Sequence, residues 1–209
     1  MTSYLTLARG VDLSAEIEVK RSRFLAVIRR VDNEDAAREL VAQSRKQHHD
    51  AGHHCSAFIL GSTPATERSN DDGEPAGTAG TPMLDVLRGH ELSDVAAVVV
   101  RWFGGTLLGT GGLVRAYGDA VSAALDDARV VRRTQQRLFD LTVSHADAGK
   151  VEADLRARQV QVLGVDYLDH AVLHLVGEAG ALGTAVAEIT SGSGKLVPAG
   201  RRWVDLRQR

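Results

Sequence analysis

The sequence has little cysteine and no apolar run that approaches the length of a transmembrane helix. Its one cysteine, Cys55, excludes an internal disulfide and is typical of a protein in a reducing cytoplasm. The first residues lack the basic region and the apolar core of a signal peptide. We therefore expect a cytoplasmic protein that does not contact a membrane.

A strong charge of either sign is also missing, because the formal net charge of the 209 residues is −2. The chain as a whole is therefore not attracted to nucleic acid, and any such contact needs a local basic patch. The length suits one large domain or two small ones, each able to bury a core.

The chain is organised around residues 101–117. The β-branched run 95–100 before them predicts a buried strand, and apolar residues at three- and four-residue steps behind them predict a helix. A glycine-rich helix N-terminus exposes N–H groups that bind anions, although such a loop is also a common packing turn. The candidate anion-binding residues are Arg101, Gly104, Gly105, Gly109, Thr110, Gly111, Gly112 and Arg115.

This glycine-rich stretch matches neither common nucleotide-binding motif. Gly104 and Gly109 have the spacing of a P-loop, but Thr110 stands where the motif requires lysine. Gly109 and Gly111 begin a dinucleotide fingerprint, but Val114 stands in place of its last glycine. We therefore expect no cofactor.

Histidines are concentrated just before an apolar run, at His48, His49, His53 and His54. Their spacing matches no zinc motif, so we expect a polar loop and the start of a strand, and no metal. On a strand, His53 and Cys55 share one face and could act as a base and a nucleophile. The simpler interpretation is that Cys55 is a small buried hydrophobe.

Residues 62–80 form a predicted loop with three carboxylates, Asp71, Asp72 and Glu74, around one glycine. Carboxylates this close bind a divalent cation, pair with arginines or simply stand in a turn, which the Asp-Gly and Glu-Pro pairs favour. Together with His53 and Cys55, these three residues are the candidates for a catalytic role.

Helix signals divide the first half of the chain further. Alternation in residues 15–31 predicts two strands or one hairpin. Asp32 is expected to cap a helix that ends near Gln47, and Thr81 is expected to cap one that ends at Gly89.

The second half has a different organisation. The basic and polar stretch 129–137 is the predicted domain boundary, which places domains at 1–132 and 137–209. After it, the order strand, helix, strand, strand, helix, strand is that of a ferredoxin-like domain. We therefore predict an α+β chain of two domains.

Four segments carry a family resemblance over most of residues 16–128. In chain order they read VKRSRFLA, GHHCSAF, RSNDDGEPAGTAGTPML and VVVRWFGGTLLGTGGLVRAYGDAV. They resemble the IMPACT family in its bacterial YigZ-like branch, a two-domain form without the RWD domain of eukaryotic members. The resemblance implies a fold like domain 2 of ribosomal protein S5, followed by a domain like one of elongation factor G. It also adds Arg68 to the candidate anion-binding residues.

The two implied folds recur in translation factors, so we expect a non-enzymatic protein that binds RNA or the ribosome in translation regulation. A small anionic ligand at the glycine loop is a further expected partner. The candidate nucleic-acid contacts are arginines, the usual phosphate donors: Arg21, Arg23, Arg132 and Arg133.

Two alternatives stay open. One is an enzyme, either a hydrolase such as a peptidase or a phosphate-ligand enzyme, that uses the acidic loop and the glycine loop. The other is a purely structural role, in which Asp71, Asp72 and Glu74 pair with Arg101 or Arg115 and fix the two loops.

Overall fold

The computed structural model describes residues 3–10, 12–62 and 65–206. The chain forms two compact units, one that ends at Arg133 and one that spans Thr134–Asp205. Both mix helices with antiparallel sheet, so the predicted two-domain α+β class is confirmed. Within the described residues, no helix combines the length and the apolar character that crossing a membrane requires.

The first unit contains three helices and six complete strands among its described residues. They are β1 (Ser3–Leu7), β2 (Leu13–Val19), β3 (Ser22–Arg30), α1 (Glu34–Gln47), β4 (His53–Leu60), β5 (Thr66–Asn70), α2 (Gly80–Gly89), β6 (Val95–Trp102) and α3 (Thr110–Leu125). β7 (Val130–Val143) begins in this unit and continues into the second.

The sheet of the first unit has the strand order β2-β3-β6-β4-β5, with antiparallel neighbours. The central strand, β6, is buried on both faces, which explains why its sequence is continuously apolar. Its Val95, Ala97 and Val99 pack in the core with α2 and α3. Its alternate residues, from Ala96 to Val100, pack in the core with α1.

The N-cap of α1 differs from the prediction. Asn33 is the cap, and its side chain accepts a hydrogen bond from Ala36 N at 2.8 Å. The first helical bond begins one residue after the predicted cap, because Asn33 O accepts from Ala37 N at 3.3 Å. Asp32 precedes this position and forms an ion pair with Arg9 at 2.9 Å. The predicted end at Gln47 is confirmed.

The segment predicted as one loop, residues 62–80, contains the edge strand β5. Its sequence, TERSN, has no apolar alternation because four of its five residues are exposed, so pattern analysis could not detect it. α2 then begins at Gly80 and ends at Gly89; Thr81 lies inside the helix and is not its cap.

The second unit has the predicted order of elements after β7: α4 (His145–Ala157), β8 (Gln161–Tyr167), β9 (Ala171–Val176), α5 (Ala179–Ile189) and β10 (Leu196–Leu206). β9 lies between β7 and β8, and β10 pairs with β7, which is the ferredoxin-like arrangement. Leucines of β7, α4 and β9 fill its core. β7 begins at Val130, so the basic stretch 129–137 is mostly strand.

Candidate functional site

The first carboxylate of the acidic loop caps a helix. Asp71 accepts hydrogen bonds from the backbone N–H groups of Gly77 and Gly80, both at 2.8 Å, and of Ala79 at 3.1 Å. Burial of Asp71 opposes its ionisation, but these three bonds outweigh burial and lower its pKa. Asp71 therefore satisfies amides at the start of α2 from nine residues upstream.

The second carboxylate connects three elements. Asp72 forms an ion pair with Arg45 of α1, and its Oδ2 accepts a hydrogen bond from His54 N at 2.6 Å. Its backbone carbonyl lies 2.9 Å from Nδ1 of His53. The turn at Asp72 is consequently held against α1 and against the first residues of β4.

The third carboxylate, Glu74, is buried, with 4% of its side chain exposed. Its Oε1 accepts hydrogen bonds from Arg101 Nη1 at 2.6 Å and from the Tyr117 hydroxyl at 2.7 Å. Arg101 belongs to β6 and Tyr117 to α3, so one oxygen joins the acidic loop to a strand and a helix. His53 Nε2 lies 3.8 Å from the same oxygen.

Cys55 is fully buried beside this oxygen network. Its thiol donates to the carbonyl of Asp71 at 3.0 Å and lies 3.3 Å from the Tyr117 hydroxyl. Burial raises the pKa of the Cys55 thiol to about 12, so the thiol is protonated at neutral pH. The ring of His53, the candidate base, contacts Asp72 and Glu74 of the acidic loop.

The five candidate catalytic residues thus lie together, linked with Arg101 and Tyr117 by hydrogen bonds and by the 3.8 Å approach of His53 to Glu74. We call these seven residues the acidic-loop network. Tyr117 is its unexpected member, because it stands among the buried apolar residues of α3. A phenol at an otherwise apolar position is the signal that could have identified it, since a buried hydroxyl needs a partner.

The glycine loop, residues 103–109, packs against the β2–β3 hairpin. A Cβ at Gly104 would lie 2.0 Å from the carbonyl carbon of Arg21, so only glycine allows this approach. Gly104 N donates to Ser22 Oγ at 3.1 Å, and Arg21 Nη2 donates to Thr106 Oγ1 at 3.1 Å. The hairpin tip and the loop therefore form one continuous surface.

Apolar and cationic side chains are exposed together on this surface. Phe103 is 58% exposed and Leu107 is 83% exposed. This surface also exposes the cations Lys20, Arg21 and Arg115. Within the described part of the chain, they form no ion pair. α3 has no side-chain cap, and its first residues are exposed. We call this set, residues 20–21, 103–112 and 115, the glycine-loop surface.

The other candidate arginines are already paired or lie outside the glycine-loop surface. Arg23 pairs with Glu16 at 2.9 Å and lies over the ring of Trp102. Arg133 binds Asp94, just before β6, at 2.7 Å. The hairpin tip lies near the other end of β6, about 23 Å away at the usual rise per strand residue. Arg132, next to Arg133, is exposed and contacts Ser3.

Arg68 is also separated from the glycine loop. It pairs in register with Phe58, which pairs with Ala96 of β6. Ala96 precedes Arg101 by five residues, or about 16 Å along the strand. The anion-binding set predicted from sequence therefore divides into the loop residues, the buried Arg101 and the distant Arg68.

A second polar cluster, which sequence analysis did not identify, lies in the second unit. His174 of β9 has Nδ1 2.7 Å from Asp140 of β7 and Nε2 3.0 Å from Asp166 of β8. Hydrogen bonds to Asp140 and Asp166 raise the pKa of His174. These residues are distant in sequence, and only strand register brings them together. The described residues contain no group of three or more His, Cys, Asp and Glu side chains placed to hold a metal ion.

The stability contributed by His174 should decrease as pH rises. Its pKa in the folded protein is above the ordinary value of 6.5, so the contribution is complete below that pH and is lost as pH rises through the folded pKa. Asp166 is 66% exposed, so we expect less than about 1 kcal/mol. Melting temperatures of wild type and His174→Gln should converge as pH rises; a constant difference would contradict this prediction.

Two family models match the chain. The Impact N-terminal domain matches residues 20–125, and a domain of unknown function, DUF1949, matches residues 141–193. The IMPACT family member YvyE of Bacillus subtilis (strain 168) is 39% identical over 193 residues, which cover 91% of this chain and 88% of that protein. The chain belongs to the IMPACT family.

Other relatives agree with this family assignment. The IMPACT family member YigZ of Escherichia coli (strain K12) is 39% identical over 177 residues, 84% of this chain and 86% of that protein. A crystal structure of a hypothetical protein has a TM-score of 0.66 at 35% identity and covers 94% of this IMPACT chain and 97% of its own. The resemblance stated from the four sequence segments is thereby confirmed.

Proposed function

We propose that this IMPACT protein binds single-stranded RNA at the glycine-loop surface, without catalysis, and acts in translation regulation in the cytoplasm. The observation that carries the proposal is the exposed ring of Phe103, beside cations that form no ion pair with any described carboxylate. Proteins that bind single strands combine these two elements, an aromatic platform for bases and a positive groove for the backbone.

Each part of the surface has a specific role in this proposal. A base stacks on Phe103, and Lys20, Arg21 and Arg115 contact phosphates. The exposed amides at the start of α3 contribute further phosphate contacts, because the helix dipole is positive there.

Gly111 provides independent support. Its backbone angles are not in the left-handed region, and a Cβ at this position would meet no atom within 4 Å. The fold therefore does not require glycine here, although glycine weakens a helix by about 0.5–1 kcal/mol relative to alanine. A partner that approaches the bare backbone closely would explain why glycine stands at position 111.

The acidic-loop network favours a binding function over the enzyme alternative. Cys55 is buried and protonated, and Asp71, Asp72 and Glu74 are each bonded to protein groups. Tyr117, which binds Glu74, lies seven residues into α3, so these carboxylates do not line the start of that helix.

Fluorescence anisotropy with a labelled twelve-nucleotide oligouridine tests the proposal. Wild type should bind at low salt, and Phe103→Ala and Arg115→Glu should each weaken binding about tenfold, since a stacked base contributes about 1–3 kcal/mol. Arg132→Glu, on β7 and outside the glycine-loop surface, is the matched control and should bind like wild type. If three cations contact phosphates, a plot of the logarithm of the binding constant against the logarithm of the salt concentration should have a slope of about −2.

Two results would overturn the proposal: no binding at low salt, or equal loss of affinity in Arg132→Glu and Arg115→Glu. Co-sedimentation of the same variants with purified ribosomes then tests the link with translation. Loss of co-sedimentation in Phe103→Ala and Arg115→Glu, with retention in Arg132→Glu, is the expected result.

A further inference from the structure

One face of the first sheet is only partly covered. Five strands at their usual spacing are about 20 Å wide between the outer strand axes, whereas one helix is about 10 Å wide. Among the described residues, α1 is the helix that packs on this face. An apolar strip beside α1 therefore lacks a covering helix.

The uncovered strip forms a groove of about 350 Å³ between α1 and β5. Ala37 and Val41 of α1 form one wall, and Phe58 of β4 and Ala96 of β6 lie at its floor. Val41 and Phe58 are only partly buried, so the groove exposes apolar surface to an incoming side chain. Arg68 of β5 lies at the opposite rim.

The rim carries charges of both signs, and its two arginines differ in their partners. Arg38, on the α1 side, pairs with Glu34 at 2.6 Å and with Asp35 at 3.4 Å. Arg68 donates to the backbone carbonyl of its neighbour Glu67, and within the described ranges it forms no ion pair. The groove therefore presents Phe58 and Ala96 beside Ser56, with the guanidinium of Arg68 available at its rim. This arrangement is complementary to an apolar segment that carries a carboxylate opposite Arg68.

We propose that this α1–β5 groove binds an amphipathic helix of a partner protein, which lies beside α1 and completes the helical layer. Its apolar stripe contacts Phe58 and Val41, and an acidic side chain pairs with Arg68. Recognition of an apolar stripe in a groove is a common mode of helix binding. Among the described residues that line the groove, Arg68 is the cation without an ion pair, and one such cation beside apolar side chains favours a peptide over RNA, which needs several phosphate contacts.

The groove is separate from the glycine-loop surface. Arg68 is aligned with Ala96, about 16 Å along the sheet from Arg101. One protein can therefore hold an RNA and a helical partner at the same time, and the two proposals fail independently.

The probe is a fluorescein-labelled, eighteen-residue helical peptide with a leucine stripe flanked by glutamates. Anisotropy should show saturable binding to the full chain. Phe58→Ala and Arg68→Glu should each weaken it about tenfold or more. A second peptide, with lysines in place of the glutamates, should bind Arg68→Glu better than wild type.

Matched controls separate this proposal from the RNA site. Arg115→Glu should leave peptide binding unchanged while it weakens oligouridine binding, and Arg68→Glu should do the reverse. Melting curves establish that Phe58→Ala is folded at the temperature of the assay, and Arg68→Glu, which changes an exposed side chain, provides a test that does not depend on Phe58.

The proposal is overturned if neither peptide binds at millimolar concentration, or if Phe58→Ala and Arg68→Glu both bind like wild type. Displacement of the peptide by oligouridine would also overturn it, because the groove would then be a nucleic-acid site.

Discussion

Replacement of Glu74 by alanine is expected to lower the free energy of unfolding by about 3–5 kcal/mol. The substitution leaves the guanidinium of Arg101, 7% exposed, without its counter-ion. It also removes the acceptor of the buried Tyr117 hydroxyl. Since domains are stable by about 5–15 kcal/mol in total, the loss should be evident in urea denaturation at unchanged m-value.

Two companion variants give this prediction its control. Glu74→Gln keeps an acceptor for Arg101 and should lose less stability than Glu74→Ala. The double variant Glu74→Leu, Arg101→Met removes both charges and should recover the part of the loss that comes from the unpaired guanidinium, because a buried pair contributes little beyond what well-packed apolar side chains do. The part that comes from the Tyr117 hydroxyl should remain, since its acceptor is still missing. A loss below 1 kcal/mol in Glu74→Ala would show that Arg101 does not depend on Glu74.

The acidic-loop network also has a consequence for the proposed RNA site. The guanidinium carbon of Arg101 lies 5.4 Å from the ring centroid of Phe24 in the core and 5.8 Å from that of Phe103. Glu74 fixes Arg101 from the acidic loop, and Arg101 lies beside Phe103. The acidic loop is therefore connected to Phe103 of the glycine loop through one arginine.

Sequence analysis succeeded where a pattern is local. The apolar run of β6 and the periodic face of α3 predict their elements because burial on both faces, or on one stripe, leaves a regular signal. The order of elements in the second unit follows from the same signals. Four long segments were enough to recognise the family.

Contacts between distant residues could not be predicted in the same way. The cap of α2 comes from Asp71, nine residues away, and β5 is too polar to be recognised as a strand. Arg68 and Arg133 stand in basic or motif segments, but strand order places them far from the glycine loop. Composition identifies arginines, whereas topology decides which of them share a surface.

Gly104→Ala is the second large effect that we expect, a loss of about 3 kcal/mol. The new Cβ would lie 2.0 Å from the carbonyl carbon of Arg21 and 2.3 Å from Ser22 N, and backbone cannot rotate away as a side chain can. The loop must therefore separate from the hairpin, which breaks the bond from Gly104 N to Ser22 Oγ. Thermal and urea denaturation measure the loss.

Gly111→Ala is the matched control in the same loop region, and the pair separates scaffold from binding surface. The Cβ of the new alanine meets open space. The free energy of unfolding should therefore increase by about 0.5 kcal/mol, as it does when alanine replaces glycine in a helix. The affinity of this variant for oligouridine should nevertheless fall, because the methyl group occupies the space through which a phosphate reaches the amides of α3. Unchanged affinity in Gly111→Ala would remove the α3 amides from the RNA site, and unchanged stability in Gly104→Ala would show that the hairpin and the loop separate at little cost.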